Sequence, residues 1–173
     1  VESVLSLSLR PISPADEAFL YRVYASTREE ELALVDWTAA QKDAFLQMQF
    51  TAQHIYYQQH YPQGDFNLIL LEEQPIGRLY LDWSENEIHI VDIALLPTYR
   101  QQGIGSIFLK GILAEGERTN RPVRIYVERF NPALRLYTRL GFQQMADQGV
   151  YLLMEWSPEA NPQAEHLAER KPC

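Results

Sequence analysis

Three apolar runs, Phe66 to Leu71, Ile76 to Trp83 and Ile88 to Leu96, follow one another with connections of only a few residues. Parallel neighbours need a crossover of about a dozen residues or more, so runs this close can pair only as an antiparallel meander. Glu73-Gln74-Pro75 and Ser84-Glu85-Asn86 supply the turn chemistry between them. The meander fixes a sheet at the middle of the chain, and the flanking segments have to cover it.

Before it, Ser3 to Arg10 interleaves Val4, Leu5, Leu7 and Leu9 with serines and predicts a first strand. Ser13 can cap exposed backbone N–H groups and Pro14 suits a first helical position, after which Phe19, Leu20, Val23 and Tyr24 recur at helical spacing. The acidic run Glu29 to Glu31 follows and reads as a solvated loop, with attraction of a cationic amine as the alternative. Thr38 and Gln41 match a capping box, and Phe45, Met48, Ala52, Ile55 and Tyr56 predict the buried stripe of a helix ending near Tyr61-Pro62-Gln63-Gly64.

Beyond the meander, Gly103 to about Thr119 reads as a helix burying Ile104, Ile107, Phe108 and Ile112, and Val123 to Val127 as a short strand. Asn131 is expected to cap the next helix, with Pro132 at its first position and Gly141 as its left-handed closing residue. Phe142 to Met145 and Val150 to Trp156 complete a terminal hairpin. The chain therefore reads as one domain over residues 1–156 and a polar tail over 157–173.

The formal charge of -8 disfavours a polyanion, so no nucleic acid is expected as a partner. No apolar run reaches the roughly twenty residues that span a bilayer, which predicts a soluble cytoplasmic protein without a membrane partner. The single cysteine, Cys173, cannot close an internal disulfide, and His54 and His60 fall off a common helical face, so no metal is expected.

Arg100-Gln101-Gln102-Gly103-Ile104-Gly105-Ser106 lies between an apolar strand and an amphipathic helix, where backbone N–H groups converge on one point. Two glycines allow close approach of a pyrophosphate, the helix dipole adds partial positive charge, and Ser106 can donate a hydroxyl. A dinucleotide fingerprint would need a third glycine where Phe108 stands, and a Walker loop would need Gly-Lys-Ser/Thr, so both fail. Taken alone, the loop reads more readily as a ligand-free turn.

The stretch Ile93-Ala94-Leu95-Leu96-Pro97-Thr98-Tyr99-Arg100-Gln101-Gln102-Gly103-Ile104-Gly105, with Asn131-Pro132-Ala133 and Leu136-Tyr137-Thr138-Arg139-Leu140-Gly141-Phe142, resembles the GNAT superfamily of N-acetyltransferases. The motif match covers about Ile76 to Trp156, and the N-terminal third matches by element order only. The resemblance implies an α+β fold: a mixed, mostly antiparallel sheet of six to seven strands flanked by about four helices. It implies acetyl-CoA as cosubstrate, with the main chain of Ile93, Ala94 and Leu95 along the pantetheine arm. It places the pyrophosphate on Gln101, Gln102, Gly103, Ile104, Gly105 and Ser106, with Arg100 opening the loop and Asn131 as a further cofactor contact.

The implied reaction moves an acetyl group to a primary amine by direct attack through a tetrahedral intermediate, and the acceptor is a small molecule or a peptide. Tyr137 matches the family's general acid, since a phenol of pKa about 10 can share a proton with a departing thiolate. A core tyrosine is the competing reading, because Leu134, Tyr137 and Gly141 share a helical face. His89 falls where some members carry a catalytic glutamate, and Glu87, Asp92 and Glu128 remain alternatives to it as base. A non-catalytic acyl-CoA-binding module is the alternative function, and a homodimer stays open beside a monomer.

Overall fold

The computed structural model describes residues 6–158. The expected strand residues Val4 and Leu5, the tail from 159 onward and Cys173 lie outside them. The described chain carries seven strands hydrogen-bonded in the order β1-β2-β3-β4-β5-β7-β6, five α-helices and two short 3-10 turns. Two compact units divide it: the first holds the chain up to Tyr80 together with Asp92–Gln102, and the second holds Leu81–Val91 and the chain from Gly103 onward.

In the first unit, β1 (Leu7–Pro11) pairs antiparallel with β2 (Asp65–Leu71), Leu7 opposite Leu71 and Pro11 opposite Asn67. The turn from β2 into β3 (Gln74–Trp83) is Glu72-Glu73, with both φ values positive, at 50° and 67°. Two left-handed central residues are the hairpin solution that matches strand twist, so Pro75 sits inside β3 rather than in the turn expected over residues 73–75.

A 3-10 turn over Pro14–Asp16 precedes α1 (Glu17–Ser26), which buries Leu20, Val23, Tyr24 and Ser26. Ser13 is the N-cap and Pro14 opens the turn, as expected, and Asp16 completes a capping box. Asp16 accepts from the N–H and hydroxyl of Ser13 at 2.8 and 3.1 Å, and the Arg10 guanidinium beside it holds its carboxyl down at about 2. The acidic run, however, is no loop. Glu29 to Glu31 form the first turn of α2 (Glu29–Ala33), where the dipole favours negative charge.

Thr38 and Gln41 close the expected capping box on α3 (Ala39–His60), bonded at 2.9 and 3.2 Å. Its buried face is another stripe, however. Leu46 and Phe50 are covered, while Met48, Ile55 and Tyr56 stand about half exposed. The face carrying Leu46 and Phe50 continues through Gln53 and Tyr57, which serve a buried ion pair. Arg78 on β3 is 3% exposed and donates to Asp92 at 2.6 Å and to Gln53 at 3.0 Å, and Tyr57 donates to the same Asp92 oxygen at 3.2 Å. The Arg78 guanidinium also lies 5.2 Å from the Tyr80 ring centroid, and burial pushes the Tyr80 phenol up to about 12.

Removing one partner of a buried pair leaves a charge without compensation, a loss of about 3–5 kcal/mol. Asp92→Ala should therefore lower the unfolding free energy by that amount, read in urea as a lower midpoint at unchanged m-value. A loss under 1 kcal/mol would mean that water reaches Arg78.

In the second unit, β4 (Ile88–Leu95) begins with Ile88, His89 and Ile90 opposite Val123, Arg124 and Ile125 of β5 (Val123–Glu128), in parallel. The crossover a parallel pair requires is α4 (Ile104–Thr119). It buries Ile104, Leu109, Ile112, Leu113 and Gly116, whereas Ile107, expected inside, is 53% exposed. β5 pairs antiparallel with β7 (Tyr151–Trp156), and β7 with β6 (Gln143–Asp147), the expected terminal hairpin. Among the described residues no helix is long and apolar enough to cross a membrane.

Candidate active site

In the first unit, Ile93, Ala94 and Leu95 form the end of β4. Gly77 lies beneath them on β3: a Cβ built there would stand 2.3 Å from the Ala94 carbonyl oxygen and 3.1 Å from the Leu95 Cα. No side chain fits at 77, so this glycine sets the backbone path of the predicted pantetheine strand. A glycine inside a strand pattern is the signal that could have revealed it.

Pro97–Tyr99 then form a 3-10 turn that leads into Arg100. Gln101 adopts φ +60°, unusual for a side-chain-bearing residue, and Gln102 donates from Nε2 to the Thr98 carbonyl at 2.8 Å. Arg100 is turned toward its own unit, donating from Nε to the Leu95 carbonyl at 2.9 Å and from Nη2 to Ser26 Oγ at 3.1 Å. Ser26 is a partner that sequence reasoning missed.

Gly103 opens the second unit's share of the loop as the N-cap of α4, at φ +81°. The first helical bond runs from the Ile107 N–H to the Gly103 carbonyl at 3.1 Å, so the N–H groups of Gly103, Ile104, Gly105 and Ser106 have no intrahelical acceptor. Gly105 is the second residue of the helix, where glycine is a poorer helix former than alanine, by about 1 kcal/mol at most. A Cβ at 105 would meet nothing within 4 Å. Packing gives no reason for this glycine, nor for Gly111 further along the same helix; at 105 the missing side chain leaves the exposed N–H groups open to close approach. A pyrophosphate fits this surface on both counts, its charge and its need for close backbone approach.

Asn131 accepts the Ala133 N–H on Oδ1 at 2.9 Å, but it does not cap the helix as expected: α5 (Leu134–Arg139) has Ala133 as its N-cap, so Asn131 and Pro132 belong to the turn that precedes it. This bond uses only Oδ1, which leaves the Nδ2 amide as a donor. Tyr137 is buried in α5. Gly141 at φ +100° closes the helix: its N–H bonds the Thr138 carbonyl at 3.1 Å and the Phe142 N–H bonds the Tyr137 carbonyl at 3.0 Å. This double bond is a Schellman motif, and the Tyr137 and Phe142 rings supply its hydrophobic contact at 5.5 Å. Tyr137 thus has a packing role whatever its hydroxyl does.

His89 is half-buried on β4, edge-on to the Tyr126 ring at 5.7 Å. Burial pushes its imidazole below the usual value, opposed by Glu87 and Asp82 and assisted by Arg124. A lowered value keeps the ring neutral near pH 7, as a base requires. Two of the other carboxylates named for the role are already engaged. Glu87 pairs with Arg124 at 3.2 Å, which also binds Glu155 at 2.5 Å, and Asp92 already serves Arg78 and Tyr57.

The profile of the acetyltransferase (GNAT) family matches residues 20–142. The chain belongs to this family. No curated protein sequence is a significant match. Among solved structures, the chain is similar to the PaiA N-acetyltransferase from Thermoplasma acidophilum in complex with coenzyme A, with 19% identity over 88% of this chain and 99% of that one and a TM-score of 0.67. An acetyltransferase from Thermus thermophilus gives 21% identity, 89% and 98% coverage and a TM-score of 0.64. One from Streptococcus agalactiae gives 15%, 87%, 98% and 0.59. Identities this low speak for the fold, and the GNAT fold is the expected α+β one, with seven strands and five α-helices among the described residues.

Proposed function

We propose that this GNAT protein is an N-acetyltransferase that takes acetyl-CoA as cosubstrate and an amine-bearing small molecule or peptide as acceptor. The observation that carries the reading is the open Gly105 on the first turn of α4, beside N–H groups without intrahelical acceptors. Family membership and the coenzyme A held by the Thermoplasma PaiA enzyme support it.

Bound acetyl-CoA would supply an activated acyl thioester. The chain's own contribution is to hold the diphosphate on the Gln101 to Ser106 backbone, with the main chain of Ile93 to Leu95 as the pantetheine track and Asn131 Nδ2 as a further donor. The Tyr137 hydroxyl is assigned to protonate the leaving thiolate, and the His89 Nε2 or Nδ1 to take a proton from the amine, directly or through water.

Isothermal titration of wild type with acetyl-CoA, beside free CoA and NADH, tests the cosubstrate. Micromolar binding of acetyl-CoA and CoA, but not NADH, is expected; absence of binding by folded protein sinks the proposal. With an amine found by screening, the rate should fall as pH drops through the lowered His89 pKa, below 6.5, because protonation removes the base. His89→Ala should lose activity at neutral pH and regain part of it at high pH, where more of the amine is unprotonated. A pH profile identical to wild type would exclude His89.

A further inference from the structure

Arg100 heads the glycine loop, yet its guanidinium points back at α1. Ser26 is the last residue of that helix, is buried, and donates its own proton to the Val23 carbonyl at 2.7 Å, so its lone pairs face the Arg100 Nη2 at 3.1 Å. The same helix end builds one wall of a cleft of about 210 Å³ lined by Tyr24, Arg28, Glu31, Leu32, Phe45 and Gln49. In that wall Arg28 lies 5.7 Å from the Tyr24 ring centroid and pairs with Glu31 at 3.0 Å. A continuous set of bonds therefore runs from the Leu95 carbonyl through the Arg100 fork to Ser26 and the helix end that shapes the cleft.

From these contacts we infer that Arg100 is a positioning residue rather than a phosphate ligand: it ties the C-terminal end of α1, and the Tyr24–Arg28 wall with it, to the strand end and loop. A guanidinium suits this task because its planar fork presents Nε–H and Nη–H in different fixed directions, which a single amide or ammonium does not reproduce. Ordering the loop then also orders the cleft. Because such coupling is reciprocal, an occupant of the cleft and a ligand on the loop strengthen one another. This second half rests on the reading that the loop takes CoA; the tie between Arg100 and Ser26 does not.

Hydrogen exchange over residues 20–33 tests it, in ligand-free protein and with CoA, for wild type, Ser26→Ala, Ser26→Thr, Arg100→Gln and the Ser26→Ala/Arg100→Gln double variant. Without ligand, Ser26→Ala and Arg100→Gln should each speed exchange several-fold. The double variant should be no faster than the faster single one, and Ser26→Thr, which keeps the hydroxyl, should resemble wild type. CoA should slow this segment in wild type and Ser26→Thr but not in the other variants, which still bind CoA within about tenfold of wild type. Additive or absent effects in the ligand-free protein would overturn the tie. Loss of CoA binding in Arg100→Gln, with Ser26→Ala normal, would overturn it too, since the guanidinium would then be a cofactor ligand. If wild type binds no CoA, the cosubstrate reading and the coupling fall, and the ligand-free comparison still decides the tie.

Discussion

Gly105→Glu is expected to weaken acetyl-CoA binding by at least about 100-fold while leaving the thermal midpoint unchanged or slightly raised, with the two effects opposite in sign. The stability side follows from the helix. A Cβ at 105 meets nothing within 4 Å, glutamate has better helix propensity than glycine, and a negative charge in the first turn complements the dipole. Together these amount to about 1 kcal/mol, or roughly 2–4 °C for a chain of this size. The binding side follows from electrostatics. A carboxylate about 4 Å from a phosphate costs roughly 1–4 kcal/mol between bulk-water and surface screening, and the side chain also fills the approach path. A 100-fold loss corresponds to about 2.7 kcal/mol, which the two effects together reach. Calorimetric titration and a thermal melt on the same preparation check both signs, and wild-type affinity in this variant would move the binding site away from the loop.

Tyr137→Phe is expected to lower kcat by about 10²- to 10⁴-fold, the range for loss of a general acid, while acetyl-CoA affinity stays within about twofold. The substitution separates the two roles that one residue holds. Phenylalanine retains the ring that packs on Phe142 at 5.5 Å and the backbone carbonyl that closes the Schellman motif, so the helix end survives. Only the hydroxyl goes, at a cost to folding of about one hydrogen bond, ~1 kcal/mol. Steady-state kinetics with the screened amine read the result. An unchanged kcat would leave Tyr137 as a core residue and favour a binding module over an enzyme.

Much of the fold was legible because its signals are short. Thr38 and Gln41 cap a helix across three residues, Gly141 closes one by its own φ of +100°, and the meander strands are continuous apolar runs separated by short turns. Where the reading went wrong, the local pattern had more than one solution. The helix over 39–60 has apolar residues around its whole circumference, so Phe45, Met48, Ala52, Ile55 and Tyr56 made as good a stripe as Leu46 and Phe50. The three glutamates read as solvated loop because acidity suits both a loop and a helical first turn.

The candidate site divides in the same way. Glycines at 103 and 105, the strand before them and the helix after them were written in consecutive residues, because a strand-to-helix turn is built from its own backbone. The partner of Arg100 lies 74 residues away, the ion pair of Arg78 is with Asp92 on another strand, and the clash that forbids a side chain at Gly77 is with the main chain of Ala94. Capping, turn and periodicity rules act over a few bonds and so can be read from order alone. Which side chains meet across strands and helices depends on sheet register and helix rotation, and those are chosen only when the whole chain packs at once.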